Sequence, residues 1–131
     1  MIRYSTEIIP TVSQVIEVFQ SSGIVRPIQQ PVRIEQMIKQ ADLIVTAWDG
    51  KTLVGIARSL TDFCYACYLS DLAVRKEYQN EGIGKELIRL TREKTGPQCM
   101  LLLLSAPGAI EYYPKIGFEK VGNGYIIKRE R

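Results

Sequence analysis

The amino-acid sequence predicts an α/β protein of the α+β type, with a mixed central sheet of about six to seven strands flanked by about four helices. The expected order is β-α-α-β-β-β-α-β-α-β-β. Three patterns predict it. Apolar residues recur at i, i+3, i+4 and i+7 in separate stretches, β-rich runs flank the tight-turn dipeptide Asp49-Gly50, and strand, helix, strand succeed one another from Cys64 to Leu104. The length of 131 residues suits one core, so a single domain over 1–131 is expected. With 46% hydrophobic and 24% charged residues, the composition excludes disordered, collagenous and fibrous classes.

Met1 to Tyr4 has the mixed apolar character of an opening strand, and Pro10 leads into the helical spacing of Val12, Val15, Ile16 and Phe19, which Gly23 ends. After the proline-flanked stretch Gly23 to Pro31, Ile34, Met37, Ile38 and Ala41 repeat that spacing. Leu43 to Trp48 and Leu53 to Ala57 are β-rich partners across Asp49-Gly50. Beyond Thr61-Asp62, the run Cys64 to Val74 reads as a central strand buried on both faces. Ile83, Leu87, Leu90 and Thr91 then mark a helix within Gly82 to Thr95, which Gly96-Pro97 stops, and Met100 to Leu104 reads as another buried strand. Ala109 to Lys115 is a short helix with Pro114 in its second half. Phe118 to Val121 and Tyr125 to Lys128 would form a terminal hairpin around Gly122-Asn123-Gly124.

Lys and Arg number 17 against 14 Asp and Glu, a balance of +3 that does not favour nucleic acid as the main partner. No apolar run nears the about 18 residues of a membrane span, and the N-terminal residues lack the order of a signal peptide, so a cytoplasmic, membrane-free protein is expected. His is absent, which removes Ser-His-Asp and Cys-His catalysis and His-ligated metal. Cys64 and Cys67 stand three apart in a β-rich run and would face opposite sides of a strand, wrong for one shared ion, so no metal is expected.

The informative segment is Gln79-Asn80-Glu81-Gly82-Ile83-Gly84-Lys85, between a strand and an amphipathic helix. Two glycines let backbone approach a ligand, and successive N–H groups at a helix's positive end suit phosphate. Arg75, Lys76, Lys85 and Arg89 gather cations around it. A Walker loop fits poorly, because Lys85 is followed by Glu86 and position 79 is Gln, and a dinucleotide fingerprint would need a third glycine after the first strand.

Leu72 to Gly84 resembles the acyl-CoA-binding segment of the GNAT-type N-acetyltransferase superfamily, whose pattern is Gln/Arg, two residues, Gly, one residue, Gly/Ala. A second family segment is matched by Tyr112-Tyr113-Pro114-Lys115-Ile116-Gly117-Phe118, and the element order agrees over essentially the whole chain. The resemblance implies transfer of an acetyl group from acetyl-CoA, as cosubstrate, to a primary amine by direct attack. It places the CoA pyrophosphate on Asn80, Glu81, Gly82, Ile83, Gly84 and Lys85, with Gln79 at the head of the turn, and the pantetheine arm along Leu72, Ala73 and Val74. The N–H of Leu72 would polarise the thioester carbonyl.

It also makes Tyr113 the acid that protonates the departing thiolate, a task suited to a phenol whose ordinary pKa is about 10. Asp71 leads the candidates for general base, with Glu111 and Glu35 behind it. The alternative of a different class is an acyl-CoA-binding sensor or interaction module without turnover. The acceptor amine is not read from the sequence, and a homodimer is left open.

Overall fold

A computed structural model describes residues 1–131. It contains one five-stranded sheet in the order β1-β2-β3-β4-β5, formed by Ile2–Ser5, Leu43–Asp49, Thr52–Thr61, Ala66–Val74 and Met100–Leu102. The first four strands pair antiparallel in sequence order, and β5 joins β4 in parallel. Helices α1 (Val12–Ser22) and α2 (Pro31–Lys39) cover one face, and α3 (Ile83–Thr95) covers the other.

Helix α1 starts where its sequence can satisfy its first N–H groups. The Thr11 hydroxyl accepts from the Gln14 N–H at 3.2 Å, and the Gln14 side chain accepts from the Thr11 N–H at 2.9 Å. Gly23 ends it at φ 83°, a conformation open to glycine. In α2, Pro31 occupies the first turn, where no helical acceptor awaits its missing N–H.

Strands β2 and β3 are buried along almost their whole length because each supplies both cores. Ile44, Trp48, Leu53 and Ile56 meet Val15, Val18, Phe19, Ile34 and Ile38, while Val45, Ala47, Val54 and Ala57 meet Ile83, Leu87 and Ile88. Their connection is the two-residue loop Gly50-Lys51, one residue later than the Asp49-Gly50 pair would place it, with φ 60° at Gly50.

Strand β4 differs from the expected strand buried on both faces. It begins at Ala66, leaving Cys64 exposed in the preceding loop, and its residues alternate buried and half-buried. The pairing steps from Ser59↔Leu69 to Arg58↔Asp71, so Ser70 is the extra residue of a bulge. A one-residue slip exchanges faces. Leu69 packs with α3, whereas Ala73 packs with α1 and α2.

Two further expectations are corrected, and with them the strand count falls from six or seven to five. Strand β5 covers only Met100–Leu102 and is not buried, because it is the outermost strand and Met100, Leu102 and Leu104 point away from the core beneath Leu101 and Leu103. The terminal hairpin is absent. Val121, Tyr125, Ile126 and Ile127 are exposed, and a hairpin whose apolar residues bury nothing lacks the packing it needs. The short helix is reduced to α4 (Tyr112–Lys115), with Pro114 tolerated in its first turn.

Gly55, buried in β3, sets how close α3 lies to the sheet. A Cβ there would sit 3.1 Å from Leu87 Cδ1 and 3.2 Å from Ile83 Cγ2. Replacing Gly55 by Val should therefore lower stability by about 1–3 kcal/mol through overpacking, measured as a reduced urea midpoint with an unchanged slope.

Candidate functional site

The β4–β5 ladder comprises Ala66↔Met100, Cys67↔Leu101 and Tyr68↔Leu102. Beyond it β4 runs on to Val74 while the other chain leaves the sheet through Leu103 and Leu104. Their divergence opens a cleft of about 1350 Å³, lined along β4 by Ser70, Leu72, Ala73 and Val74 and on the far side by Leu103 to Pro107 and Tyr113. The Arg75 N–H donates to Val54 O of β3 at 2.8 Å. By strand alternation the N–H groups of Val74 and Leu72 point the other way, toward the cleft. Consistently, Val74 O accepts from Gln79 Nε2 at 2.9 Å on that side.

At the end of β4 a 3-10 turn, Lys76–Tyr78, leads into Asn80 at φ 68° and Gly82 at φ 82°. Gly82 is the N-cap of α3 and has no capping side chain, so the N–H groups of Ile83, Gly84 and Lys85 have no intrahelical acceptor. A Cβ at Gly82 would meet nothing within 4 Å, and one at Gly84 only Val74 Cγ2 at 4.0 Å. Unpartnered donors, the positive helix end and this open space fit the phosphate end of a coenzyme. The cations flanking the turn are not equally available. Arg75 donates to Leu53 O and pairs with Glu17 at 3.0 Å, and Arg89 pairs with Glu86 and Glu93, whereas Lys76 and Lys85 make no ion pair.

Tyr113 lies on the cleft despite Pro114. Its ring is held edge-to-face by Tyr112 at 5.2 Å and Phe118 at 5.5 Å, and its carbonyl accepts from the Ile116 and Phe118 N–H groups at 3.1 Å each. Burial, helped by the neighbouring Tyr112 hydroxyl, pushes the Tyr113 phenol above its ordinary pKa.

Asp71 is fully buried and does not line the cleft. One carboxylate oxygen accepts from Arg26 Nε and the other from Arg58 Nε. Arg26 also donates to Val25 O and Ser70 O at 2.7 Å each, and Arg58 to Met37 O at 3.3 Å and Ser70 Oγ at 3.0 Å. The cluster joins β3, the Ser70 bulge, α2 and the α1–α2 connection. Glu111 and Glu35 also lie off the cleft, as do all three cysteines; burial raises the pKa of Cys67. Sequence reasoning passed over Arg26 and Arg58. The available signal was Arg58 itself, a charge inside the apolar run Leu53 to Leu60.

A mixed sheet parted at one edge, with an uncapped glycine-bearing helix start a few residues beyond the end of β4, defines an α/β protein that leaves an open strand edge and a row of unpartnered backbone donors close together in the chain. The acetyltransferase (GNAT) domain model matches residues 11–128, and the chain belongs to that family. It is 32% identical over 71 residues to the chloroplastic GCN5-related N-acetyltransferase 2 of Arabidopsis thaliana, covering 53% of this chain and 28% of that protein. It is 23% identical over 104 residues to the ycf52 N-acetyltransferase of Pyropia yezoensis, covering 74% and 60%. The chain thus spans less than two thirds of either relative. Among solved structures, a Staphylococcus aureus protein of unknown function superposes with a TM-score of 0.81 at 24% identity, over 98% of this chain and 100% of that one. The PaiA N-acetyltransferase of Thermoplasma acidophilum, in complex with coenzyme A, gives 0.70 at 20% identity over 91% and 90%. No helix is long and apolar enough to cross a membrane.

The Asp71 cluster generates a stability prediction. Asp71→Asn would leave two guanidinium groups without their shared counter-charge, and removing one partner from a buried ion pair costs about 3–5 kcal/mol. A denaturation midpoint within experimental scatter of the parent protein would contradict the clamp.

Proposed function

We propose that this chain moves an acetyl group from acetyl-CoA to a primary amine by direct attack of the amine nitrogen on the thioester carbonyl. The observation that carries the reading is the succession of two features along the chain: the unladdered edge of β4 at Leu72 to Val74, which lines the cleft together with Gln79, and the uncapped start of α3 at Gly82 to Lys85, which follows a few residues beyond it. Acetyl-CoA supplies the activated acyl group. The chain's own residues bind and orient it. Asn80 to Lys85 present backbone donors to the pyrophosphate, with Lys76 and Lys85 adding positive charge. Gln79 secures the end of β4 through Val74 O, so that Leu72, Ala73 and Val74 offer an extended edge to the pantetheine arm.

The Leu72 N–H points to the cleft and donates to the thioester oxygen as negative charge develops there. The new N–C bond forms as the C–S bond breaks, the Tyr113 hydroxyl gives its proton to the leaving sulfur, and the proton shed by the nitrogen passes to water, from which the phenolate is reprotonated. A phenol held above its ordinary pKa stays protonated through neutral and mildly alkaline pH, so the acid is present over that range. Asp71 is assigned to holding Arg26 and Arg58, both of its oxygens being engaged. No thiol lines the cleft, which favours direct attack over an acylated cysteine.

Gly84→Asp places a carboxylate where phosphate would sit, and Gly82→Asp adds the strain of a side chain at φ 82°. Calorimetric CoA affinity should fall severely in both folded variants. Unchanged affinity would remove the site. Tyr113→Phe retains the ring and should lower kcat about ten- to a thousandfold, with acetyl-CoA binding little changed. The alkaline limb of the parent kcat profile should lie above pH 10 and vanish in the variant, because the activity it reports is lost as pH rises through the raised phenol pKa. Parent-like turnover by Tyr113→Phe would reassign the acid.

A further inference from the structure

The acceptor end of the cleft carries a charge pattern that the overall balance conceals. Arg26, Arg33, Arg58, Lys128 and Arg129 line it, and no Asp or Glu does, although the chain contains 14 of them. Only Asp71 offsets any of these cations. It is buried behind the cleft and shared between Arg26 and Arg58, while Arg33, Lys128 and Arg129 pair with no Asp or Glu side chain. Arg33 is half-buried on α2 and donates to Arg131 O at 3.2 Å. Arg26 and Arg58 each spend three of their five N–H groups on the bonds described above, so two on each are left.

This cluster is distinct from the coenzyme phosphate site. Arg26 and Arg58 meet β4 at Ser70 and Asp71, whereas the phosphate turn follows Val74, and four residues of strand separate the two by about 13 Å. Cations at the turn can serve the coenzyme, but those around Ser70 face the other end of the cleft.

We propose that the acceptor is an anionic amine, a primary amine bearing a carboxylate or phosphate group that the Arg26–Arg33–Arg58 end of the cleft receives. This rests on the acetyltransferase reading. Guanidinium groups match the planar or tripodal oxygens of such acids, and charge-assisted bonds to them are the stronger class. A polyamine or aminoglycoside would instead find like charge and no carboxylate partner. The same positive surroundings disfavour the acceptor's own ammonium form, which lowers its pKa and promotes the neutral nucleophile where no carboxylate of the chain reaches the cleft.

The test begins without turnover. Protein saturated with CoA is titrated calorimetrically with N-acetylglycine, N-acetylethanolamine phosphate, neutral N-acetylglycinamide and cationic N-acetylputrescine, which are product-like probes. The carboxylate or the phosphate probe should bind about tenfold or more tighter than the amide, and which of the two does so names the acid. Arg33→Gln should erase most of that preference while CoA affinity stays at the parent value, and Lys128→Gln with Arg129→Gln, on exposed chain, should reduce it without unfolding. Equal binding of acid and amide, or tighter binding of the cationic probe, overturns the proposal. Thiol release is then followed with the matching free amines. If the acid probes bind preferentially but no amine is acetylated, the acetyltransferase reading fails and the anion site stands. If neutral or cationic amines are acetylated best, that reading stands and the anionic acceptor falls.

Discussion

A carboxylate with no exposure to solvent constrains the centre of this molecule. Two guanidinium groups take both oxygens of Asp71, and those groups arrive from β3 and from the connection between α1 and α2, so a buried charge is paired on both sides. The bulge at Ser70 brings them together. It turns Asp71 to the face where Arg58 points and presents Ser70 O and Oγ to the two arginines. The sheet, the helical layer and the Ser70 end of the cleft are therefore joined at one point.

The remainder of the cleft follows from how β4 is shared. One edge of the strand is paired with β3 for nearly its whole length, while the other is paired with β5 over three residues and then released. Side chains are fixed by the first edge, and backbone donors are left by the second. Gly55 adds a positional constraint from the opposite face, since the close seat of α3 determines where its N-terminal turn meets the end of β4.

Much of this was legible in the amino-acid sequence because it is encoded locally. Gly23, Gly82 and the spacings of Val12, Val15, Ile16 and Phe19 and of Ile83, Leu87 and Thr91 each act over a short stretch of chain, and the corresponding helices lie where those residues put them. The turn Gln79 to Lys85 and Tyr113 were likewise singled out by short motifs, and the structure places Gln79 and Tyr113 on the cleft. What stayed hidden depends on distant partners. An apolar run such as Met100 to Leu104 has the same composition whether it is central or outermost, and it is outermost here. The Gly122-Asn123-Gly124 segment supplies turn chemistry, but a hairpin also needs a surface to cover. Asp71 carried no local sign that Arg26 and Arg58, 45 and 13 residues away, would take both of its oxygens.

The sequential strand order has a consequence for how the molecule assembles and breathes. β2, β3 and β4 form a meander of neighbouring hairpins, whose contacts are short in sequence and quick to close. Strand β5 returns only after the crossover through α3 and contributes three paired residues, so its attachment is late and weak compared with the rest of the sheet. Sub-global opening will accordingly begin at that margin, detaching the wall formed by Leu103 to Pro107 while the two apolar cores stay intact. The compartment can thus widen for a bulky guest at the expense of a few ladder bonds, and its entrance is hinged by topology without a dedicated lid.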